Sequence, residues 1–318
     1  MNVQTVGPEA ADDVVAVIHA GFGAREVLDP PSSAPDETVE SVATALADHG
    51  GLLVTSELGP VGALLFDPLD DEHHLLGLRR VAVHPDAQGR GVARALVRHA
   101  ERFAAEHGYA ATRVLARAEL PRTLRFWHHL GYVEAERDHP LVTLVKVLPV
   151  TVETRSPDEA RCLGERLAET LRPGDLVILS GDLGAGKTTF TQGVGVGLGV
   201  RGDVTSPTFV ISRVHPSLDD GPPLVHVDAY RLGGPSTGSG TRLDELDDLD
   251  LDASLDEAVT VVEWGEGVAE GLADTRLEVR ITRGRGDDVE DARTVTFVPV
   301  GARWAGAGLA HLLTGALA

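Results

Sequence analysis

The stretch Gly181–Thr189 constrains the fold more than any other part of this sequence. It reads Gly-Asp-Leu-Gly-Ala-Gly-Lys-Thr-Thr and satisfies the phosphate-binding pattern G-x-x-x-x-G-K-[ST]. An apolar run of strand length, Leu176–Ser180, precedes it, and Phe190, Val194 and Leu198 follow at near-helical spacing. Strand, glycine-rich loop and helix therefore follow one another in the order that the pattern requires.

The residue types of this loop predict a phosphate site. Glycines let backbone N–H groups converge on phosphate oxygens, and the start of a helix adds positive potential. Lys187 is expected to reach the outer phosphates, and the Thr188 hydroxyl is expected to hold Mg²⁺. Lys187 is one of only two lysines in the chain, so a composition that favours arginine keeps a lysine where the pattern needs one.

Length and composition indicate two packed domains. The chain has 318 residues, 42% of them hydrophobic, and a net charge of −21 that is shared by both halves. At roughly 150 residues per domain, this length predicts two domains. The acidic balance argues against a broad face for nucleic acid or a membrane. The single Cys162 excludes an intrachain disulfide, and the chain has no recognisable signal peptide or bilayer-spanning stretch, so we expect a cytoplasmic protein.

The spacing of apolar and polar residues predicts further elements. In the first half, a helix over Ala11–Ala20 precedes a second one that Asp36 is expected to cap. In the second half, Gly233–Thr241 predicts a flexible insertion at a loop tip. The acidic stretch Leu243–Glu257 after it is either a solvated helix or a partner-binding edge.

A second glycine-rich turn follows a predicted strand in the first half of the chain. Leu75–Val83 is the strand, and the turn contains Gly89 and Gly91 before an amphipathic helix. Free amides at a helix start, beside glycines that allow close backbone approach, favour an anion, and Arg90 and Arg94 add positive charge. The turn therefore predicts a second anion site.

This region resembles the acetyl-CoA site of the GNAT N-acetyltransferases over roughly residues 1–148. Their motif Q/R-x-x-G-x-G/A is matched by Gln88, Gly91 and Ala93, and Phe126–Tyr132 is similar to the family ending Phe-Tyr-x-x-x-Gly-Phe. The resemblance implies that the turn holds the pyrophosphate of acetyl-CoA, while the preceding strand faces the acetyl arm. The implied acetyl-CoA-binding residues are Val81, Val83, Gln88, Gly89, Arg90, Gly91, Val92, Ala93 and Arg94.

Two positions depart from the GNAT pattern, and one is the place of an Asn that the family commonly has a few residues before Trp127, where Leu120 or a neighbour stands. Trp127 stands where the family usually has a Tyr whose phenol protonates the leaving thiolate, and an indole cannot serve as that acid. The sequence does not assign a general base either, because Glu119, His73, His74 and His128 are all conceivable. The first half is either an acetyltransferase of unspecified acceptor or a non-catalytic CoA-binding module.

Two carboxylates end apolar strands in the second half of the chain. The strands are Leu224–Asp228 and Val259–Glu263. In a parallel α/β sheet, the C-terminal ends of the strands meet the crevice beside the glycine-rich loop. A carboxylate there can hold Mg²⁺, directly or through water, or position an attacking water. The sequence leaves open whether Asp228 or Glu263 orients that water.

Together with the loop, these residues resemble TsaE, a family of small ATPases that help to make threonylcarbamoyladenosine in tRNA. The resemblance covers about residues 151–300, and the matching segments occur in the family order. The matching segments are Gly181–Thr189, Ser206-Pro207-Thr208, His226-x-Asp228-x-Tyr230-Arg231-Leu232 and Glu263-Trp264-x-Glu266.

The TsaE resemblance implies a role for each matched residue. Thr188 and Glu263 would serve as ligands of Mg²⁺, and Ser206-Pro207-Thr208 would form a switch near the γ-phosphate. Asp228 would help to position the attacking water, and Trp264 would lie close to the nucleotide. The implied ATP-binding residues are Asp182, Leu183, Gly184, Ala185, Gly186, Lys187, Thr188, Thr189 and Trp264. The catalytic candidates are Lys187, Asp228 and Glu263.

We therefore predict an α/β chain of two domains. A GNAT-like mixed α/β domain over 1–149 that binds acetyl-CoA precedes a TsaE-like P-loop NTPase domain over 150–318 that hydrolyses ATP with Mg²⁺. The resemblance implies TsaB and TsaD as partners, with tRNA reached only through their complex and ATP turnover resetting it. The alternative is a P-loop small-molecule kinase fused to a non-catalytic CoA-binding module, which would usually need an arginine-bearing lid.

Overall fold

The computed structural model describes residues 1–25, 28–57, 59–69, 74–207, 212–231, 256–283, 292–305 and 307–314. Its internal contacts divide the chain into two units, Met1–Leu148 and Pro149–Ala318. The assignment of acetyl-CoA binding to 1–149 and of ATP hydrolysis to 150–318 stays a prediction. The predicted insertion at 233–241 lies outside the described residues, as does the acidic stretch 243–257 apart from its last two residues.

The first unit is a twisted sheet with helices on both faces. Its strands are β1 (Asn2–Val6), β2 (Gly51–Ser56), β3 (Gly59–Leu69), β4 (Leu75–Val83), β5 (Ala111–Arg117), β6 (Val133–Asp138) and β7 (Leu141–Val147). Its helices are α1 (Ala11–Gly23), α2 (Val39–His49), α3 (Val92–Glu106) and α4 (Pro121–His129). The strand order is β1-β2-β3-β4-β5-β7-β6. Strands β4 and β5 are parallel neighbours, and β4 pairs with β5 over Leu75–Gly77. Val81 and Val83 therefore lie beyond that paired stretch.

Alternating side chains bury both faces of this sheet. Leu52 and Val54 of β2 pack in the same core as Leu96 of α3, whereas Leu53 packs in a second core with Ile18 of α1. Successive residues of a strand point to opposite faces, so one strand serves both cores. A ligand can consequently reach this unit at strand ends and helix starts rather than on the sheet faces.

Helix α2 begins after Thr38, and the prediction that Asp36 caps it was wrong. The Thr38 hydroxyl accepts a hydrogen bond from the Ser41 amide at 3.1 Å, and the Ser41 hydroxyl accepts one from the Thr38 amide at 3.0 Å. This reciprocal capping box satisfies two amides at once, which explains why Thr38 is preferred. Asp36 instead ends a short 3-10 turn, Ala34–Asp36.

The second unit is a mixed sheet with parallel strands at its centre. Its strands are β8 (Val150–Thr154), β9 (Leu176–Ser180), β10 (Ser212–His215), β11 (Leu224–Asp228), β12 (Val259–Glu263), β13 (Arg276–Arg283) and β14 (Arg293–Val300). Its helices are α5 (Pro157–Ala168), α6 (Lys187–Gly197) and α7 (Leu309–Thr314). The order is β10-β11-β12-β9-β13-β14-β8, in which β11, β12, β9 and β13 run parallel and the other pairs are antiparallel.

The register of the parallel strands sets three strand ends level. Asp228 pairs with Glu263 across β11 and β12, and Glu263 pairs with Leu179 across β12 and β9. The glycine-rich loop leaves β9 at the next residues. The prediction that two strands end in carboxylates at the sheet edge beside this loop is therefore confirmed, and the structure adds that the two strands are neighbours.

Helices α5 and α6 approach each other closely at two glycines. A Cβ on Gly193 would collide with the carbonyl oxygen of Arg161, and a Cβ on Gly164 would collide with that of Phe190. Only glycine allows backbones to come this close. The helix that follows the loop is thus held firmly against its neighbour. Across the described ranges, no helix is both long and apolar enough to cross a membrane.

Candidate functional site

The loop between β9 and α6 adopts the backbone conformations that its glycines allow. Gly181, Gly184 and Gly186 have φ values of +146°, +72° and +108°, a region that residues with a Cβ rarely enter. Gly186 is the cap of α6, and Lys187 is its first helical residue. The loop therefore ends at the amides of a helix start, which favour an anion.

The ammonium of Lys187 is folded into the loop. It is buried, and Nζ donates hydrogen bonds to Gly181 O at 2.7 Å and to Asp182 O at 3.1 Å. The same Nζ lies 3.6 Å from the centroid of the Trp264 ring. Burial lowers the pKa of Lys187, while the nearby carboxylates of Glu263, Asp228 and Asp182 oppose that shift. The Lys187 ammonium is therefore surrounded by carbonyl oxygens and nearby carboxylates.

Glu263 connects the end of β12 with the first turns of α6. The Thr188 hydroxyl donates to its Oε2 at 3.1 Å, and the hydroxyl of Thr191 lies 3.5 Å from its Oε1. His226 Nε2 lies 2.9 Å from the same Oε1. Glu263 is only 3% exposed, so these polar groups replace water around its carboxylate. The structure brings together Thr188 and Glu263, the two residues predicted to hold a metal.

Asp228 is linked to the segment predicted to be a switch. The Ser206 hydroxyl donates to its Oδ2 at 2.7 Å, and the Tyr230 amide donates to its Oδ1 at 3.1 Å. Asp228 and Pro207 are buried, whereas Ser206 is exposed. Thr208, the third residue of that segment, lies outside the described residues. The strand end and the first part of the segment therefore meet at a short, charged hydrogen bond.

Trp264 turns back over the loop directly after β12. Its φ is +62°, which is uncommon for a bulky residue, and its amide donates to Leu179 O at 2.9 Å. Its ring lies 5.0 Å from that of Tyr230, in addition to its contact with Lys187. Trp264 therefore lies beside the loop, and its expected closeness to a nucleotide stays a prediction.

Two arginines at the loop, and the contact that His226 makes there, are not predicted by the sequence motifs. Arg283 at the end of β13 donates to Gly184 O at 3.0 Å, and Arg293 at the start of β14 donates to Ala185 O at 3.2 Å. Both stand about a hundred residues from the loop in sequence, and no local motif marks them. His226 does lie in a segment that matches the TsaE pattern, on a strand next to the one that ends at Glu263. These two facts could have predicted its contact with Glu263.

In the first unit, the predicted anion site lies where β4 leads into α3. Gly89 and Gly91 have φ values of +75° and +79°, and Gly91 caps α3, which begins at Val92. No atom lies within 4 Å of a Cβ placed on either glycine, so the backbone conformation rather than crowding favours glycine. The turn is exposed, and its arginine Arg90 is exposed as well. Its amides are therefore accessible to an anion.

The structure describes two residues that bear on acid–base chemistry in this unit, Trp127 and the candidate base Glu119. Trp127 is 5% exposed and packs edge-on against Tyr132, with ring centroids 4.9 Å apart, so it is a core residue. Glu119 is held by the Arg117 guanidinium at 2.9 Å, and this contact lowers its pKa to about 2. A carboxylate with that pKa is a weak base near neutral pH. His73 lies outside the described residues.

The second unit has the architecture of a P-loop nucleotide-binding domain, and the first unit that of an acetyltransferase-like mixed α/β domain. Residues 154–294 match the family described as "Threonylcarbamoyl adenosine biosynthesis protein TsaE", and the chain belongs to the TsaE family. Residues 24–132 match the "Acetyltransferase (GNAT) family", so the chain joins a GNAT domain to a TsaE domain. The expected α/β fold and the expected fusion are both confirmed.

Individual relatives match one half of the chain or the other. The "tRNA threonylcarbamoyladenosine biosynthesis protein TsaE" of Streptomyces coelicolor is 62% identical over 152 residues, covering 48% of this chain and 98% of that protein. The Bacillus subtilis protein of the same name is 40% identical over 153 residues, covering 48% and 86%. The PaiA N-acetyltransferase structure from Thermoplasma acidophilum, in complex with coenzyme A, is 13% identical, covers 46% of this chain and 99% of that chain, and has a TM-score of 0.40.

Proposed function

We propose that the second unit binds ATP and Mg²⁺ and hydrolyses ATP as the TsaE component of tRNA threonylcarbamoyladenosine biosynthesis. One contact supports this above all: the Thr188 hydroxyl and the Glu263 carboxylate lie 3.1 Å apart at the start of α6. A hydroxyl and a carboxylate at this position of a phosphate-binding loop are the protein ligands that a nucleotide-bound magnesium ion uses. The curated relatives described above carry the TsaE name, which favours this function over a small-molecule kinase.

The donor set fits magnesium rather than a metal held by protein alone. In the parts of the chain that the structure describes, no group of three or more His, Cys, Asp or Glu residues could hold a metal ion. Mg²⁺ is commonly held by one or two protein oxygens, with phosphates and water completing its shell. Thr188 and Glu263 would supply those oxygens, and the bound ion would neutralise phosphate charge.

The loop residues would bind the nucleotide through backbone and charge. Loop amides other than that of Ala185, which donates to Asp182 O, would face the phosphates, and the Lys187 ammonium would move from two loop carbonyls to phosphate oxygens. Trp264, which already contacts Lys187, would lie against the nucleotide. This arrangement uses a helix start, a lysine and a nearby aromatic ring, each of which favours a polyphosphate or its base.

Asp228 is the better candidate to orient the attacking water. Glu263 has His226 on one oxygen and Thr188 on the other, which suits a group that holds the metal. Asp228 instead bonds the hydroxyl of Ser206, in the segment predicted to sense the γ-phosphate. Water would attack the γ-phosphorus, the bond to the β,γ-bridging oxygen would break, and ADP, phosphate and a proton would leave.

The partners would supply what this acidic chain lacks. TsaB and TsaD would form the complex that ATP turnover resets, and tRNA would be reached through them. A net charge of −21 supports this division, because direct tRNA binding needs a basic face.

The first unit would bind acetyl-CoA at the turn 88–94, with the pantetheine arm along Val81 and Val83. Free amides at the start of α3 and two exposed arginines, Arg90 and Arg94, suit a pyrophosphate. A non-catalytic CoA-binding module is the second candidate, since the buried indole of Trp127 occupies the position of the usual phenol. Acetyl transfer to a panel of amines separates the two.

The deciding experiment is reconstitution. The chain is co-purified with TsaB and TsaD of the same organism, and tRNA modification is measured with and without ATP. Lys187→Ala is expected to abolish modification, whereas Lys146→Ala, which removes the other lysine and its 2.9 Å pair with Glu101, is expected to leave it intact. Normal modification by Lys187→Ala would count against the proposal.

A further inference from the structure

Two arginines hold the outer side of the phosphate-binding loop, and the proposed function gives them no role. Arg283, the last residue of β13, donates from Nη2 to Gly184 O at 3.0 Å. Arg293, the first residue of β14, donates from Nε to Ala185 O at 3.2 Å. The two guanidinium groups therefore contact consecutive carbonyl groups of the loop.

These arginines face each other directly across the β13–β14 pair. Like charges placed opposite each other in an antiparallel pair are unfavourable. The carbonyl oxygens of Gly184 and Ala185 carry partial negative charge that offsets the repulsion. Arg293 also donates from Nη1 to Ala292 O at 3.0 Å, so more than one nitrogen of its guanidinium group is held.

The end of β13 is also built against the loop through its backbone. A Cβ on Gly181 would collide with the carbonyl oxygen of Ile281, two residues before Arg283. A Cβ on Gly184 would lie 2.5 Å from Arg283 Nη2. The absence of both side chains brings β13 into contact with the start and the middle of the loop. The arginine contacts are thus part of a close-fitting surface.

Holding a carbonyl outward orients the next amide inward. In a trans peptide, the C=O and N–H bonds point in opposite directions. Arg293 fixes Ala185 O and thereby directs the Gly186 N–H toward the opposite side of the loop. Arg283 fixes the carbonyl of the preceding peptide, Gly184 O. The N–H of that peptide belongs to Ala185 and donates to Asp182 O at 3.0 Å, so this arginine supports the turn that shapes the loop. A guanidinium charge on the carbonyl also polarises the peptide and strengthens its N–H as a donor.

We propose that Arg283 and Arg293 are a positioning pair that keeps the loop in its phosphate-binding conformation. The inference rests on the proposed nucleotide site and adds that the affinity of this site for a nucleoside diphosphate or triphosphate depends on the β13–β14 hairpin. The pair acts through the loop and touches no reacting atom, so it governs binding rather than the chemical step. ADP and ATP are affected alike, because the loop amides serve phosphates that both contain.

The test uses the full chain and measures two quantities. Calorimetry with Mg²⁺ gives the Kd of ADP, and steady-state hydrolysis gives KM and kcat for ATP. Arg293→Gln and Arg283→Gln are each expected to raise the Kd of ADP and the KM of ATP about tenfold, while kcat changes less than about threefold. Arg293→Lys keeps one charged donor but not the planar fork, so an intermediate loss is expected.

The matched control is Arg280→Gln. Arg280 lies on the same strand, is exposed, and pairs with Glu278 at 3.4 Å instead of the loop. Its Kd and KM are expected to equal those of the wild type. Arg293→Gln could lower the melting temperature of the protein. In that case Kd and KM are compared between the wild type and Arg293→Lys, whose melting temperature is expected to equal that of the wild type.

The remaining outcomes overturn the inference in distinct ways. Unchanged Kd and KM in both arginine-to-glutamine variants contradict it while leaving the proposed function standing. A fall in kcat at constant KM would assign the pair to the chemical step instead. An equal loss in Arg280→Gln would mean that the hairpin is merely loosened. If the wild type binds neither ADP nor ATP, the proposed function fails, and the inference fails with it.

Discussion

His226 on β11 and Glu263 on β12 form a buried pair, with Nε2 2.9 Å from Oε1. Neither side chain is more than 3% exposed. Within the described residues, His226 Nδ1 has no hydrogen-bond partner, so the contact with Glu263 is the polar interaction that orients the ring. The histidine occupies one carboxylate oxygen and leaves the other directed at Thr188, where a magnesium ion would be held.

Replacing His226 by Asn should weaken the proposed magnesium site. Partners behind a metal ligand typically change metal affinity by about 10–100-fold, because they fix the orientation of the ligand. We expect the Mg²⁺ concentration for half-maximal ATP hydrolysis to rise about tenfold. We expect His226→Gln to recover part of this loss, because its longer side chain brings an amide donor to about the position of Nε2, whereas that of Asn falls short. His215→Asn is the control, because His215 is also buried but lies on β10. An unchanged Mg²⁺ dependence in His226→Asn would contradict this role.

Removing the Ser206 hydroxyl should slow ATP hydrolysis. It donates at 2.7 Å to Asp228, and hydrogen bonds to charged groups contribute about 1.5–3 kcal/mol. If this bond positions Asp228 for the attacking water, Ser206→Ala lowers kcat about tenfold or more. Thr205→Ala serves as the comparison, because that hydroxyl accepts from Arg213 at 3.3 Å. A wild-type kcat in Ser206→Ala would remove Ser206 from the mechanism.

Glu119 should remain ionised at every pH at which acetyl transfer is measured. Arg117 lowers the pKa of Glu119 to about 2, from an ordinary value of 4.5. The ionised pair is therefore fully formed above pH 4.5 and is lost only as the pH falls through about 2. In an NMR titration, Arg117→Gln should raise the midpoint of Glu119, whereas Arg137→Gln, which frees Glu134 instead, should not. A wild-type midpoint near 4.5 would refute the assignment.

Replacing Gly193 by Ala should destabilise the second unit. The added methyl group would collide with the carbonyl oxygen of Arg161, and overpacking of this kind costs about 1–3 kcal/mol. Urea denaturation should show the loss as a lower midpoint. Gly23→Ala in α1 meets no atom within 4 Å, and its midpoint should stay the same or rise. Equal midpoints for Gly193→Ala and the wild type would show that the helices can separate without cost.

The sequence predicts the parts of the site that local chemistry determines. A glycine-rich loop needs its glycines in order, and Asp228 and Glu263 could be placed because strand C-termini in a parallel sheet share one edge. The same reasoning cannot select Arg283 and Arg293. Other arginines stand nearby on the same hairpin, and only the register of β13 against β9 brings these two to the loop. Contacts between distant segments depend on which residues pair across neighbouring strands. The spacing of apolar residues predicts the strands but does not determine that register.

Trp127 illustrates a different limit. The sequence shows that an indole replaces the usual phenol, but not whether its ring faces a ligand or the core. Its packing against Phe126 and Tyr132 places it in the core. That outcome depends on how α4 rotates against the sheet, which nine helical residues do not specify by themselves.

The position of Lys187 has a consequence for how tightly any phosphate can be held. Its ammonium already has two carbonyl oxygens and the face of an indole as partners. A nucleotide bound at the proposed site would therefore replace these contacts of Lys187 instead of pairing with an ammonium that has no partner. The contribution of Lys187 to binding would be the difference between two coordinated states of one cation, which is smaller than the gain from an ammonium that begins without partners.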